Sequence, residues 1–290
     1  PARHLVDVSK YEHIIGEGSQ FFTIQATRGC PAACLFCDIR KTPFRFRNAE
    51  NVVNEVEQLI EMGIDDLFFV DDGSPDGTGE LLESLRATYP HLRVLHRPSK
   101  LGLGTAYRHA FHILLKEPYD RFISMDADLS HRPESIPDLL RASETADLVI
   151  GSRYQPGGGT RNCSLARRLL SRMANRVARG ALGLKARDVT AGFRCYRREL
   201  LAALDRLDVR SNGYSFLVEM TYYSQAMGFR VREEPILFAD RVHAKSKMSR
   251  IEIVRAIQTL LRLWFHRVTG RGSRDRMRLA GEGLGPMVRK

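Results

Sequence analysis

Apolar residues recur along this chain in short runs that alternate with longer stretches of helical spacing. Phe21 to Thr27 (FFTIQAT) reads as a buried strand. Val52, Val53, Val56, Leu59 and Ile60 then fall at helical intervals, and Gly63 closes the stretch, which predicts a helix over Asn48 to Gly63. Leu67 to Val70 is a short strand running into two carboxylates, Asp71 and Asp72. The alternation continues with a strand at Arg93 to His96, a helix at Gly102 to Lys116 and a strand at Phe122 to Met125. A helix follows at Pro133 to Glu144, with Pro at an allowed early position, then a strand at Leu148 to Ile150. Leu165 to Leu182 predicts a basic amphipathic helix, Phe216 to Met227 another helix, and Val231 to Phe238 a strand. Ile251 to Val268 predicts the last helix, with Glu252, Arg255, Thr259, Arg262 and His266 as its polar stripe.

Strands alternating with helices predict an α/β fold built on a doubly wound, mostly parallel sheet. In such sheets ligands bind beyond the carboxyl ends of the strands. Asp71, Asp72, Asp126, Asp128 and Arg153 all follow predicted strand ends.

Composition narrows this picture. At 290 residues and 43% hydrophobic, the chain can bury one large core or two modest ones. It holds no stretch of about 18 uncharged apolar residues, so no membrane-spanning helix is expected. No signal peptide is visible in a sequence that starts at Pro1. Three of the five cysteines are clustered, and Cys163 and Cys195 stand alone, which argues for a reducing, cytoplasmic setting rather than a disulfide framework.

The net charge of +11 is unevenly placed: residues 241–290 carry 13 Lys and Arg against 3 acids. A localised basic end is a partner signal. Nucleic acid is the common reading of such a patch. Here the basic residues lie on an apolar-faced helix, which favours an anionic membrane surface over nucleic acid, with packing on its own domain as the lesser alternative. Residues 269–290 are Gly- and Arg-rich and are expected to be disordered.

Two motif groups carry the chemistry. The downstream group comprises DDGSPDGT (Asp71 to Thr78), RPSKLGLGTAY (Arg97 to Tyr107), MDADLSH (Met125 to His131), VIGSRYQPGGGT (Val149 to Thr160), TAGFRCYRREL (Thr190 to Leu200) and RVHAKSKMS (Arg241 to Ser249). Two carboxylates two residues apart, Asp126 and Asp128, suit a divalent cation that bridges phosphates. Arg153 suits a phosphate because a guanidinium forks onto its oxygens. Gly102-Leu103-Gly104 opens a predicted helix, and helix N-termini attract anions.

From about residue 71 to 268 the chain resembles family-2 glycosyltransferases of GT-A fold, and more narrowly the polyprenyl-phosphate (dolichyl-phosphate) mannosyltransferases. The resemblance implies a metal-dependent, inverting hexosyltransferase on the inner face of a membrane. It would move mannose or a similar hexose from a nucleotide sugar to a polyprenyl phosphate. It further implies that Asp126 and Asp128 hold Mg²⁺ or Mn²⁺ and act with Arg153 as the catalytic set. The nucleotide sugar would meet Asp71, Asp72, Lys100, Gly102, Asp126 and Ala127, and the lipid phosphate Arg194, Arg241, Lys245 and Lys247.

The upstream group is Cys30-x3-Cys34-x2-Cys37 within TRGCPAACLFCDIRKTPFRFR. Over residues 4–72 the chain resembles the cysteine-loop segment of cobalamin-type radical-SAM enzymes. This implies a [4Fe-4S] cluster on Cys30, Cys34 and Cys37 that binds S-adenosylmethionine, and an alternative identity as an iron–sulfur protein. Only one βαβ unit of that enzyme is present, so the chain reads as a chimera. Residues 1–72 are expected to supply the first βαβ of the sheet and 71–240 the transferase domain, with an acceptor segment and basic helix over 241–268. The nucleoside-cradling segment expected after the first strand is replaced by Ala26-Thr27-Arg28-Gly29-Cys30.

Overall fold

The computed structural model describes residues 20–24, 27–28, 45–46, 66–73, 77–90, 92–99, 101–126, 130–207, 209–239 and 250–269. Predicted elements over 48–63 and the expected disorder of 270–290 lie outside the described residues.

A seven-stranded sheet forms the centre. Its strands are β1 (Gln20–Ile24), β4 (Asp66–Asp71), β5 (Leu92–His96), β6 (Arg121–Met125), β7 (Leu148–Ser152), β9 (Arg194–Arg197) and β10 (Val231–Pro235). Thr27–Arg28 (β2) pairs with Arg45–Phe46 (β3), and Gly159–Arg161 (β8) pairs with Leu237–Ala239 (β11). The sheet order is β10-β7-β9-β6-β1-β4-β5. Six strands run parallel, while β9 runs antiparallel to both its neighbours, β6 and β7. The strand that leads into the cysteine loop is interior, between β4 and β6 and parallel to both.

The strand sequences explain the layering. In β4, Leu67, Phe68, Phe69 and Val70 are all buried. A parallel strand covered on both faces needs such a continuous apolar run. Because successive side chains point to opposite faces, Phe68 and Val70 join one core and Leu67 and Phe69 the other. In β7, Leu148 and Ile150 likewise face the first core and Val149 the second.

The second core is closed by α1 (Thr78–Thr88) and α3 (Ile136–Ser143). The first is closed by α2 (Leu103–Leu114), α4 (Leu165–Leu182), α5 (Arg198–Asp205), α6 (Tyr214–Ala226) and α7 (Arg250–Thr269). Phe122 and Phe216, at 1% and 0% exposure, anchor the larger layer. Full burial of such a side chain contributes about 1.5–3 kcal/mol.

Three expectations need amending. The helix expected from Pro133 begins as a 3₁₀ turn (Pro133–Ser135) and becomes α-helical only at Ile136. The strand expected over 231–238 is two: after Pro235 the chain leaves β7, and β11 pairs with β8. The mostly parallel sheet carries one antiparallel strand, β9, which with α1 and α5 went unforeseen.

Candidate active site

Because the six parallel strands share one direction, their carboxyl ends lie on one edge of the sheet. Asp71 ends β4, Asp126 follows β6, Arg153 follows β7, and Arg97 follows β5. The edge therefore gathers the acids and bases that the motifs singled out.

Asp71 is 5% exposed, and its carbonyl accepts the Arg97 backbone N–H at 2.7 Å. Its Oδ2 lies 3.5 Å from Nδ1 of His96, whose Nε2 lies 2.8 Å from Oε1 of Glu83 on α1. Glu83, and less strongly Asp71, favour the imidazolium, so the His96 pKa is raised and that of Glu83 lowered. The Arg97 guanidinium is 3.1 Å from Oδ1 of Asp72 and also donates to Thr105 Oγ1 at 2.7 Å, and Thr105 Oγ1 in turn donates to the Gly102 carbonyl at 2.7 Å. The carboxylate pair is thus tied to the first turn of α2. Gly102 has φ 103°, a left-handed-side conformation that disfavours any side chain. A Cβ on Gly104 would collide with the Ser211 carbonyl oxygen. These two glycines let the turn at the head of α2 pass flush against the loop at 209–213.

Asp126 is fixed through its backbone. Its N–H donates to Nδ1 of His131 at 3.3 Å, which places the neutral ring's proton on Nε2. His131 is 3% exposed and wedged between the rings of Phe193 and Phe238. The Asp126 carboxylate faces Gly192, where a Cβ would stand 3.4 Å from Oδ1. The nearby Tyr107 hydroxyl has its pKa raised, chiefly by burial and then by the Asp126 charge. A hard carboxylate, with a second two residues on, fits a hard divalent cation that fills its remaining positions with water and substrate phosphate. Among the described residues no cluster of three His, Cys, Asp or Glu forms a closed metal site.

Arg153 is clamped. Its Nε donates to Oδ2 of Asp188 at 2.7 Å, its Nη2 to Oδ1 at 2.7 Å, and its backbone N–H to Oδ2 at 3.0 Å. Asp188 is 0% exposed. Burial opposes the Arg153 charge, but the Asp188 carboxylate outweighs it and raises the pKa. Glu233 on β10 accepts the backbone N–H groups of Arg187 and Asp188, each at 2.8 Å. The Nε–Nη2 edge of the guanidinium is therefore fixed, with Nη2 donating also to Thr190 Oγ1 at 3.0 Å, and among the described residues Nη1 makes no hydrogen bond.

Arg194 departs from its expected role. It is 0% exposed, and its guanidinium donates to the carbonyls of Ala191, Leu217 and Val189 at 2.7, 3.0 and 2.8 Å. It is a buried strut under the 189–194 turn and has no free edge for a lipid phosphate. Lys100, Ala127, Asp128, Arg241, Lys245, Lys247, Cys30, Cys34 and Cys37 lie outside the described residues. His131, Asp188 and Glu233 went unnamed at the sequence level. His131 sits inside MDADLSH and was within reach, whereas Asp188 and Glu233 declare themselves only through contacts across 35 and 45 residues.

Residues 45–205 match the family model "Glycosyl transferase family 2". The match begins upstream of Asp71, where the two motif groups meet. The undecaprenyl-phosphate mannosyltransferase of Micrococcus luteus is 46% identical over 184 residues, which span 63% of this chain and 76% of that protein. The polyprenol monophosphomannose synthase of Mycolicibacterium smegmatis is 47% identical over 185 residues, spanning 63% and 70%. With more than half its length matched, and with Asp71, Asp126 and Arg153 set along one sheet edge, the chain belongs to glycosyl transferase family 2.

Proposed function

We propose that this chain transfers mannose from a nucleotide-diphosphate sugar, GDP-mannose in the first instance, to a polyprenyl phosphate. The observation that carries this reading is the 46–47% identity to two proteins named for mannosyl transfer to polyprenol carriers. Asp71, Asp72 and the Gly102 turn receive the nucleotide sugar, with Lys100 and Ala127 beside them. Asp126 and Asp128 would hold Mg²⁺ or Mn²⁺, which would supply positive charge for the departing diphosphate. Arg153 presents its Nη1 edge to a phosphate while Asp188 holds the fork in plane. Arg241, Lys245 and Lys247 attract the lipid phosphate. An oxygen of that phosphate forms a bond to the sugar's anomeric carbon as the bond to the diphosphate breaks, and the nucleoside diphosphate leaves with the electron pair. The attacking oxygen is already anionic, so no strong general base is required, and displacement from the opposite face inverts the anomeric centre. The test is transfer of labelled mannose from GDP-mannose to polyprenyl phosphate with Mg²⁺ or Mn²⁺. A labelled lipid product is expected, and its absence would remove this reading.

The reaction takes place at an anionic membrane surface, at its inner face. Among the described residues no helix is long and apolar enough to cross a membrane. Of the 13 exposed large hydrophobic residues among the described ones, 12 lie on α4 and α7, two helices that pack against each other. Leu165, Leu169 and Met173 on α4, and Ile257, Trp264 and Phe265 on α7, are each between 47% and 70% exposed. Five arginines on α4 add the charge that anionic headgroups attract. Trp264 is the chain's one tryptophan, so its emission reports this face alone. Vesicles containing phosphatidylglycerol should shift that emission to the blue. Changing Phe265 to Asp should weaken binding by about tenfold or more, as loss of one buried aromatic implies.

The cysteine loop bears on this reading by position. The strand β1 ends at Ile24 on the same sheet edge, so the chain leading to Cys30, Cys34 and Cys37 leaves from beside the nucleotide-sugar residues.

A further inference from the structure

A buried ion pair ties the C-terminal helix to the nucleotide-sugar site. Glu219 on α6 is 0% exposed. Its Oε1 lies 2.8 Å from Nη2 of Arg262 on α7. Its Oε2 accepts the backbone N–H of Ser211 at 3.0 Å and a short hydrogen bond from the Ser211 hydroxyl. Arg262 Nη2 also reaches that hydroxyl at 3.3 Å, and Thr259, one turn earlier on α7, lies 3.2 Å from it through Oγ1. Thr259 and Arg262 therefore close over Glu219 and Ser211 from one face of α7.

Ser211 is also the wall of the turn that opens α2. Its carbonyl oxygen lies where a Cβ on Gly104 would have to be, and the Asn212 side chain is 3.4 Å from the Cβ position of Gly102. Arg108, one turn further along α2, donates to the Val209 carbonyl at 2.8 Å, so the loop is bonded to that helix at Val209 and packed against its head at Ser211 and Asn212. The head of α2 is in turn bonded through Thr105 to Arg97 and so to Asp72. An unbroken chain of contacts runs from α7, through Glu219 and Ser211, to the Gly102 turn and the carboxylate pair.

We infer that Glu219 is a positioning residue through which the seating of α7 sets the geometry of the nucleotide-sugar turn. This rests on the function proposed above and deepens it, because the helix that presents the apolar face also holds the nucleotide-sugar site in register. A buried carboxylate that loses its cationic partner is left uncompensated, which makes the junction respond to displacement of α7. A displacement of an ångström at a positioning contact changes binding steeply.

The experiment uses the full chain in the transfer assay, with GDP-mannose and polyprenyl phosphate varied in turn. Glu219→Gln should raise the KM for GDP-mannose about tenfold, with kcat and the KM for polyprenyl phosphate within about twofold of the parent. Ser211→Ala, a milder change, should move it in the same direction by about threefold. Arg262→Met should match Glu219→Gln, and Arg262→Lys, which returns the charge, should recover most of the loss. A GDP-mannose KM that stays at the parent value while the melting temperature falls would make the junction purely structural and overturn the inference. Equal losses in kcat and in both KM values would overturn it too. If the parent protein transfers nothing, the functional reading fails separately, and GDP binding by calorimetry then decides. Weaker binding in Glu219→Gln and Ser211→Ala would support the inference, and unchanged binding would overturn it.

Discussion

Asp126→Ala should lower mannosyl transfer by about a thousandfold or more, the scale seen when a preorganised electrostatic group at a developing charge is removed. The effect should fall on catalysis with little change in folding, for a reason visible in the structure. The backbone N–H of Asp126 bonds His131, and that bond survives the substitution. Asp126 is half-buried, and its carboxylate lies against Gly192, which has no side chain to lose a contact. Transfer assays beside thermal melting check both halves. Asp126→Asn, which keeps shape and loses charge, should be almost as inactive as the alanine variant. Near-parent activity in either would move the cation, and the chemistry, elsewhere.

The second large effect belongs to a residue that touches no substrate. Asp188→Ala should destabilise the protein by roughly 3–5 kcal/mol, because it strips a buried charge pair of one partner. For a domain of this size that corresponds to a fall in melting temperature on the order of 10 °C. Asp188 accepts two guanidinium bonds and one backbone bond from Arg153, and without them the side chain that should meet phosphate is also released. Activity should therefore fall further than stability explains when assayed well below the melting point. Replacing both partners by apolar residues, Arg153→Met with Asp188→Leu, should recover much of the melting temperature and none of the transfer. That divergence separates the structural share of the pair from the functional one.

The parts of the fold that were readable share one physical property. β4, β6 and β7 are buried on both faces, so their apolar runs stand out, and each ends where polar chemistry begins. The site residues at those ends, Asp71, Asp126 and Arg153, were placed for the same reason. The strand β9 escaped because it opens on Arg194, whose charge reads as surface while its burial depends on three carbonyls that no local pattern reveals. The same blindness assigned Arg194 to a lipid phosphate. A sequence shows that a charge exists, and only the fold shows how deep it lies. The helix α1 was overlooked because Leu82 is its only fully buried apolar side chain, which leaves a weak amphipathic signal. Asp188 and Glu233 were beyond reach in a different way. Each is an ordinary acid until a partner from another strand end arrives.

The lone antiparallel strand has a consequence for the order in which the molecule can be assembled. β6 and β7 follow one another in the chain, at 121–125 and 148–152, yet they share no ladder, because β9 at 194–197 lies between them. Until β9 is made, one side of the growing protein holds β1, β4, β5 and β6, and the other only β7, with no backbone hydrogen bonds joining them. The β6 edge stays open for some seventy residues of synthesis and the β7 edge for about forty, an exposure that invites pairing with other chains. A chain released before residue 194 would therefore carry Asp71, Asp126 and Arg153 and still lack the strand that joins their strands into one sheet.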